Sequence, residues 1–311
     1  MNDSRPFVPG VALGHGYAYG GQTGCTVALG PFRGAVEVRG MATGSRELGV
    51  LDPHHLVPRV DAILLGGGSA FGLDAAHGVV EWLAEHGRGY DTGVVPVPIV
   101  PAAVIFDLHA HATRPDSETG RAACEAAEEG MPLEGRVGAG TGATVGKVTG
   151  PDGAMPGGLG AWSVEHGGYR VGALAVVNAL GDVLDGSGTI VAGARSPDGA
   201  FMDTAAVLLG GGGGWGEMDQ VVAGTNTTLA LVATDAPLSK VDLGRVARVA
   251  TNALARRISP VHTPFDGDVV FALSTSDEAR ETSSASVLAI GAAAQHALEE
   301  AITRAVTEGD R

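Results

Sequence analysis

The segment GTNTTLALVAT, residues 224–234, is the most informative stretch of the chain. A glycine-rich run ends there in Asn-Thr-Thr, and the apolar and β-branched residues over 228–234 predict a buried strand. A helical pattern begins at Ser239, a second strand is predicted over 268–275, and an Ala-rich helix is predicted over 286–306. The C-terminal part is therefore predicted to be β-α-β-α.

The rest of the chain carries further strand and helix patterns. Apolar runs bounded by Gly and Pro predict strands over 26–29, 35–39, 61–65 and 169–177. Three-and-four spacing predicts a helix over 73–83, and an Ala-rich, acidic stretch ended by Gly130 predicts a short helix over 121–129. Residues 190–215 are predicted to form one long loop. Mixed elements of this kind predict an α/β protein in which helices cover sheets in layers.

Composition excludes several classes of protein. The 311 residues are 44% apolar and 18% charged, so the chain can bury a core and is not globally disordered. The net charge of −15 argues against binding to a nucleic-acid backbone. No long apolar run or signal sequence is present, so we expect no membrane contact. Cys25 and Cys124 fit no zinc or redox spacing, and a reducing cytoplasm is the expected location.

The stretch GGGSAFG, residues 66–72, follows a predicted strand and precedes a predicted helix. Phe71 stands where a dinucleotide fingerprint needs its third glycine, and it also replaces the second glycine of a nucleophile elbow around Ser69. The remaining interpretation is a turn whose N–H groups, Gly68 and Ser69 among them, could hold an anion or an oxyanion.

Two other motifs are set aside. Lys147 follows a glycine but lacks the phosphate-loop spacing, because Thr141 and Val148 occupy required positions. His109 and His111 are two apart, which suits a metal site on a strand, but no third ligand is evident and structural histidines are favoured. We therefore predict no metal and no cofactor.

Thr227 would gain a special chemistry if the Asn226–Thr227 bond were cut. A threonine hydroxyl is a weak nucleophile that needs a base beside it. The freed α-amine has an ordinary pKa of roughly 7.7–8.0, so one residue would supply both nucleophile and base. The Thr227 hydroxyl could make the cut by attacking the Asn226 carbonyl, with water resolving the ester. The alternative interpretation is that this segment is an ordinary strand start with turn-forming polar residues.

Five blocks of sequence, taken together and in this order, resemble one known family over residues 10–300. They are GGGSAFGLDAA (66–76), GRVGAGTGATVGKV (135–148), AVVNALGDVLD (175–185), NTTLALVAT (226–234) and HTPFDGDVVFALST (262–275). The chain resembles the self-processing aminopeptidases and amidases that include the L-aminopeptidase/D-esterase (DmpA) type and the nylon-oligomer (6-aminohexanoate-oligomer) endo-hydrolase.

The resemblance implies roles around the cut bond. Thr227 resembles the nucleophile, and Asn226 the residue that donates the cleaved bond. Lys147 resembles the lysine that orients and activates the nucleophile. The position of Lys147 as a lone lysine in a glycine-rich stretch also favours a lowered pKa of its ammonium group. A solvated lysine in a loop fits the spacing equally well.

It also implies roles for three further polar residues. Asn178, at a predicted strand end, resembles the oxyanion-hole donor. Asp266 and Asp268, in FDGD, resemble the paired acids that would hold the ammonium form of Lys147 or of the Thr227 amine. Taken alone, FDGD is more typical of a turn before a strand.

The residues implied to bind the substrate are Gly68, Ser69 and Phe71. Phe71 stands where the nylon-oligomer hydrolase has a tyrosine near its substrate, so a hydrogen bond would be lost. The aminopeptidase branch uses a serine after glycine, whereas Thr227 after Asn226 matches the amidase branch. This difference puts strict aminopeptidase specificity in doubt.

The implied fold is a four-layer α/β/β/α sandwich, similar to that of N-terminal-nucleophile hydrolases. A single catalytic domain, 1–311, would be processed into fragments 1–226 and 227–311 that stay in one fold. The implied substrate is a small peptide, amino-acid amide or amide oligomer, and the implied assembly is a homo-oligomer, a tetramer or larger, of cut protomers.

Two other functions stay open. Acyl transfer of the ornithine-acetyltransferase type also uses a threonine nucleophile, but the Ala-Thr cleavage signature of those enzymes is absent. A non-catalytic binder of small anions at GGGSAFG would instead leave Thr227 unreactive toward amides and esters.

Overall fold

The computed structural model describes residues 7–18, 20–108, 113–210 and 225–308. Its strands, numbered in chain order, are β1 (Ala12–Tyr17), β2 (Gly24–Val38), β3 (Gly44–Arg46), β4 (Val60–Gly66), β5 (Tyr90–Asp91), β6 (Pro96–Val97), β7 (Ala102–Val104), β8 (Glu128–Glu129), β9 (Thr144–Val145), β10 (Met155–Pro156), β11 (Gly158–His166), β12 (Tyr169–Asn178), β13 (Asp182–Leu184), β14 (Ile190–Ala192), β15 (Thr227–Thr234), β16 (Ile258–Ser259) and β17 (Val269–Ser274). Its α-helices are α1 (Ala75–Glu85), α2 (Ser117–Glu125), α3 (Thr204–Leu209), α4 (Lys240–Ala250), α5 (Asn252–Arg257) and α6 (Ser284–Thr307). Short 3-10 helices cover Leu48–Leu51, Ser69–Asp74, Gly138–Gly140 and Pro151–Gly153.

The long strand β2 belongs to two sheets. Its first half pairs with β1 and β4, its second half pairs with β17, and the β2–β4 register shifts between Leu29 and Phe32. The prediction of two short strands, 26–29 and 35–39, was therefore wrong. Gly30 and Pro31 are strand breakers in sequence, but proline is tolerated where a ladder is interrupted, so they mark an irregularity within one strand.

The two sheets and their helices form four layers, as expected. One sheet has the order β11-β12-β15-β17-β2, with β15 and β17 parallel and the other pairs antiparallel. The other continues from β2 through β4 and β7 to β3, with β1 on the far side of β2. Apolar side chains of both sheets, such as Ile63, Leu65, Leu229 and Phe271, share one buried cluster between them.

The helices cover the outer faces. Helices α4 and α6 pack their apolar residues with those of β12, β15 and β17, and α1 and α2 pack with β2 and β4. Helix α6 has the predicted place. Of the apolar residues whose spacing predicted it, Leu298 and Ile302 are buried and Leu288 is 63% exposed; Val287, Ile290 and Ala294 are also buried.

Two further predictions need correction. Helix α2 covers Ser117–Glu125 rather than 121–129, because the Asp116 side chain caps its first turn and accepts the Thr119 N–H at 2.9 Å. The predicted loop 190–215 contains β14 and α3, and α3 is capped by Asp203; the part of that loop beyond Gly210 lies outside the described residues. The predictions of β4, β12, β15, β17 and α4 are confirmed within a few residues.

Candidate functional site

The residues predicted to be catalytic meet where three strands of one sheet begin or end. Asn178, the last residue of β12, pairs with Thr227, the first residue of β15. The residue before Thr227, Asn226, forms a parallel bridge with Asp266, just ahead of β17. Because β15 and β17 run parallel, their starting ends bring the NTT and FDGD segments side by side.

Lys147 reaches this point from the glycine-rich segment after β9. The backbone N–H groups of Gly146 and Lys147 donate to the carbonyls of Gly181 and Leu180, which pins the lysine beside the turn after β12. Gly146 has φ +69°, and a Cβ there would lie 2.0 Å from the backbone nitrogen of Ala194. Glycine at 146 therefore allows the tight approach that places the lysine.

The Lys147 ammonium has three acceptors. Its Nζ lies 2.8 Å from Asn178 Oδ1, 3.2 Å from the Asn178 carbonyl oxygen and 2.9 Å from the Thr225 carbonyl oxygen. An ammonium has three N–H bonds, so these contacts use its full donor capacity. Lys147 is 9% exposed. It is therefore not the solvated loop lysine that the sequence spacing also allowed.

Asn178 is held through every polar atom of its side chain. Oδ1 accepts from the Thr144 N–H at 3.0 Å as well as from Lys147, and Nδ2 donates to the carbonyls of Phe106 and Thr225, each at 3.1 Å. The Thr225 carbonyl oxygen thus receives donors from both Lys147 and Asn178. Two converging donors on one carbonyl oxygen are the arrangement that stabilises a developing oxyanion.

The Thr227 hydroxyl lies against the peptide bond that precedes it. Its oxygen is 2.5 Å from the carbonyl oxygen of Asn226, and the Gly267 N–H donates to the same carbonyl oxygen at 2.9 Å. A Cβ at residue 267 would lie 2.7 Å from the Thr227 hydroxyl oxygen. Glycine at 267 therefore lets the backbone approach the hydroxyl closely.

The two acids lie beside Thr227 and are almost fully buried. Asp266 accepts the Thr263 N–H at 2.7 Å. Asp268 accepts the Thr228 N–H at 2.7 Å through one oxygen and contacts His262 Nδ1 at 2.8 Å through the other. The backbone N–H of the residue after Thr227 thus holds one acid of the pair in place.

Burial shifts the two titrating groups toward neutrality. It lowers the pKa of the Lys147 ammonium to about 7, while the Asp266 and Asp107 carboxylates act in the opposite direction. Burial, and then the neighbouring charge of Asp268, raise the pKa of Asp266 to about 6. Both groups can therefore change charge within about a unit of pH 7.

The GGGSAFG turn uses its N–H groups within the chain. Gly67 donates to the Gly24 carbonyl, Ser69 donates to the Ile105 carbonyl at 2.9 Å, and Gly68 donates to the Asp107 carboxylate at 2.6 Å. The suggestion of an anion cradle at this turn was therefore wrong, since its donors are occupied and the nearest charge is negative. The turn leads into a 3-10 helix at Ser69 before α1 begins.

Phe71 lies on the surface beyond this turn. It is 56% exposed, and the Arg114 guanidinium lies over its ring, 3.6 Å from the ring centre. Gly68 connects to the buried cluster through Asp107, which follows the Phe106 carbonyl that Asn178 binds. Phe71 is thus placed at the outer face of the turn, away from the buried polar groups.

Sequence reasoning missed three residues of this region. Asp107 ends the apolar stretch before it, a position where a buried acid is unusual, and His262 stands four residues before Asp266 in a block already singled out. Gly267 gave no signal beyond its place in FDGD. All three contribute by short-range contacts that depend on how distant segments meet.

Other features of the described residues fall outside this cluster. No group of three or more His, Cys, Asp or Glu side chains placed to hold a metal ion occurs in the described part of the chain, and His109 and His111 lie outside it. Among the helices described, none is long and apolar enough to span a bilayer. A groove of about 590 Å³ lies between β2 and α4, lined in part by Leu48, Lys240 and Arg248, and contains no residue of the cluster.

The chain is similar to curated proteins along almost its whole length. It is 40% identical over 321 residues to an uncharacterized aminopeptidase of Mycobacterium leprae (strain TN), covering 96% of this chain and 85% of that protein. It is 42% identical over 323 residues to one of Mycobacterium tuberculosis (strain ATCC 25618 / H37Rv), covering 96% and 88%. It is 33% identical over 317 residues to the 6-aminohexanoate-oligomer endohydrolase of Agromyces sp. (strain KY5R), covering 96% and 84%.

Solved structures share the fold at low sequence identity. A beta-aminopeptidase of Burkholderia sp. superposes with a TM-score of 0.69 at 22% identity, covering 98% of this chain and 88% of that one. The L-aminopeptidase D-Ala-esterase/amidase of Ochrobactrum anthropi, described as a variant of the Ntn hydrolase fold, superposes with a TM-score of 0.68 at 19% identity, covering 98% and 87%. The sequence model of peptidase family S58 matches residues 7–311. The chain therefore belongs to peptidase family S58 and is a hydrolase of amide or peptide bonds.

Proposed function

We propose that the chain cuts its own Asn226–Thr227 bond and that Thr227, as a new N-terminus, is the nucleophile of the amide hydrolase. The observation that carries this proposal is the contact between the Thr227 hydroxyl and the Asn226 carbonyl, 2.5 Å between the two oxygens, in a site that exposes 4% of Thr227. A nucleophile held against its own preceding carbonyl needs no diffusion to react.

The cut is an internal acyl shift followed by hydrolysis. The Thr227 hydroxyl oxygen attacks the Asn226 carbonyl carbon, a new C–O bond forms, and the C–N bond breaks. The hydroxyl proton passes to the departing nitrogen, which becomes the α-amine of Thr227. Water then hydrolyses the ester, which leaves a carboxylate on Asn226 and restores the Thr227 hydroxyl.

Lys147 is the base of this cut in our proposal. Burial lowers its pKa to about 7, so a large fraction is neutral at physiological pH and can accept the hydroxyl proton. A neutral amine has one N–H fewer than the ammonium, so one of the three acceptors loses its donor. The nitrogen lone pair is then available to accept the hydroxyl proton. The ionised Asp266, which acts on Lys147 electrostatically, then stabilises the ammonium that forms.

The Gly267 N–H is the oxyanion donor for the cut. It already lies 2.9 Å from the Asn226 carbonyl oxygen, the atom on which negative charge develops. A preorganised backbone donor stabilises such an oxyanion without reorganisation. A side chain at 267 would keep this N–H but crowd the site, because its Cβ would lie 2.7 Å from the Thr227 hydroxyl oxygen.

A different pair of donors serves the substrate. In the uncut chain Lys147 and Asn178 both donate to the Thr225 carbonyl oxygen, so the chain itself occupies them. Once the bond after Asn226 is broken, Thr225 lies near a free chain end and can leave. The two donors then stabilise the oxyanion of a substrate carbonyl attacked by Thr227, with the Thr227 amine as base.

The two fragments remain in one domain after the cut. Strand β15 starts at Thr227 and lies between β12 and β17, with eight residues paired to β12. Fragment 227–311 therefore supplies two central strands and the long helix α6, which packs in the same apolar cluster as β12. Separation would expose that core, so the cut changes the chain ends and leaves the fold intact.

The substrate is a small peptide, an amino-acid amide or an amide oligomer, in keeping with relatives that include aminopeptidases and an oligomer endohydrolase. We further propose a cytoplasmic homo-oligomer of cut protomers. The unpaired, buried thiols of Cys25 and Cys124 support a reducing location. Size-exclusion chromatography with light scattering measures the assembly, and a monomeric mass would contradict it.

Denaturing mass spectrometry of the purified protein tests the cut. We expect two species, residues 1–226 and 227–311, and a Thr227→Val variant that stays intact and inactive. Thr234→Val, the same change at the far end of β15, should be cut normally. A single intact wild-type species after days at neutral pH would contradict the proposal. Aminoacyl-p-nitroanilides assayed beside linear 6-aminohexanoate oligomers then separate the substrate classes.

A further inference from the structure

His262 has a backbone conformation that side-chain-bearing residues rarely adopt. Its φ is +56°, in the left-handed region, where histidine is tolerated but glycine and asparagine fit better. A residue held there generally serves a contact that the surrounding structure requires. His262 lies in the loop that carries both acids of the site, four residues before Asp266.

The contact is with Asp268. His262 Nδ1 lies 2.8 Å from one carboxylate oxygen, and the other oxygen accepts the Thr228 N–H at 2.7 Å. The histidine side chain is 24% exposed and that of Asp268 is 2% exposed, so the imidazole covers the acid from the solvent side. The carboxylate is thereby fixed between the imidazole and the backbone that follows Thr227.

We propose that His262 is a positioning residue that orients Asp268 beside Thr227 and sets the charge that the Asp266–Asp268 pair carries. The inference rests on the proposed function, in which Asp266 of that pair stabilises the ammonium of Lys147. His262 contacts Asp268 directly, so it acts on the site through the acids.

The effect of His262 on the charge of the acid pair depends on the groups that face Asp266. Asp268 raises the pKa of Asp266, and a positively charged His262 lowers it. Lys147 faces the same carboxylate from the segment after β9. At the end of β2, Arg39 binds the Asp268 carbonyl through its backbone N–H while its side chain pairs with Glu37. His262 is thus the group in the acids' own loop whose electrostatic effect on Asp266 opposes that of Asp268.

Two variants separate the contact from the charge. His262→Asn suits a positive φ and keeps an N–H donor near the position of Nδ1, but it cannot become charged. His262→Gly also suits that φ but removes the donor, so it loses the contact without straining the backbone. We expect His262→Gly to lower the cutting rate and the amide-hydrolysis kcat by about ten- to a hundredfold.

The charge of His262 is tested separately, through the pH dependence of the rate. We expect His262→Asn to keep most of the activity while the acidic limb of its pH–rate profile moves to higher pH, because Asp266 loses a cation that lowered its pKa. His54→Asn is the matched control: His54 contacts Asp52 at 3.0 Å but is 93% exposed and far along the chain, so its profile should match the wild type.

Wild-type rates and an unmoved pH profile in both His262 variants would overturn this inference. Thermal melting in parallel distinguishes a purely structural role, which would lower the melting temperature and the activity together and leave the pH profile unmoved; we expect His262→Asn, which keeps the donor, to melt near the wild type and still show the moved profile. Failure of the proposed function gives a different result, because the wild-type chain itself would then show no cut at Asn226–Thr227.

Discussion

The ammonium nitrogen of Lys147 lies 2.8 Å from the side-chain oxygen of Asn178, and both side chains donate to the Thr225 carbonyl oxygen. The uncut chain therefore fills its own pair of oxyanion donors with a carbonyl two residues before Thr227. In the function proposed here, cutting the chain both creates the nucleophile and releases the donors that a substrate needs.

Replacing Lys147 with methionine removes the proposed base at nearly constant length. We expect Lys147→Met to slow the cut by about 10²- to 10⁴-fold, the range for loss of a general base. Lys240→Met is the control, because Lys240 donates to the carbonyls of Val50 and Val57, outside the site. Time courses of fragment appearance measure both variants, and equal rates would exclude a base role for Lys147.

The cutting rate should rise with pH between about 6 and about 7. Asp266 ionises above its raised pKa of about 6, and Lys147 becomes neutral above its lowered pKa of about 7. In Asp266→Asn the carboxylate that raises the Lys147 pKa is gone, so Lys147 becomes neutral at lower pH and the half-maximal pH should fall.

The measurement starts from uncut protein purified at pH 5.5 and transferred to a series of buffers. Asparagine keeps an oxygen for the Thr263 N–H, so the loop should persist. A midpoint that does not move, or moves upward, would contradict the assignment of Lys147 as the titrating base. The shift is opposite in sign to the one expected for His262→Asn.

A side chain at residue 267 should slow the cut. The Cβ of Gly267→Ala would lie 2.7 Å from the Thr227 hydroxyl oxygen and 2.9 Å from the Ala42 carbonyl oxygen. Overpacking of this kind costs about 1–3 kcal/mol, which corresponds to a rate lowered roughly five- to a hundredfold if the strain is felt at the hydroxyl. Gly244→Ala, on α4 with the nearest atom at 4.0 Å, should cut at the wild-type rate. Equal rates in the two variants would count against the Gly267 contact.

His15 should make the fold sensitive to acid. Burial lowers the pKa of His15 from 6.5 to about 4, so the native state favours the neutral ring. Its contribution to stability is complete above pH 6.5 and is lost as the pH falls toward 4, by about 3 kcal/mol. In His15→Asn, which keeps a hydrogen-bonding partner for the Thr26 hydroxyl, that loss should disappear. Urea unfolding at pH 7 and pH 4 measures the difference, and an unchanged pH dependence would contradict it.

Local pattern carried much of the fold. Period-2 and buried apolar runs predicted β4, β12, β15 and β17, and helical spacing predicted α4 and α6, because burial on one face imposes a period that the residues must follow. The same reasoning failed at β2, where Gly30 and Pro31 act as breakers in sequence but are accommodated by a register shift. It also misplaced Leu288, which is 63% exposed on α6, although Leu298 and Ile302 from the same spacing are buried.

The sequence by itself determined the family, the strand that starts at Thr227 and the residue types of the site, because ordered blocks of residues are readable without coordinates. Only the tertiary structure decided that Thr225 occupies the donors of Lys147 and Asn178, that Asp107 fills the GGGSAFG turn, and that His262 holds Asp268. These contacts join segments up to 78 residues apart in the chain. Distances between such segments are fixed by how the sheets pack, which no local spacing records.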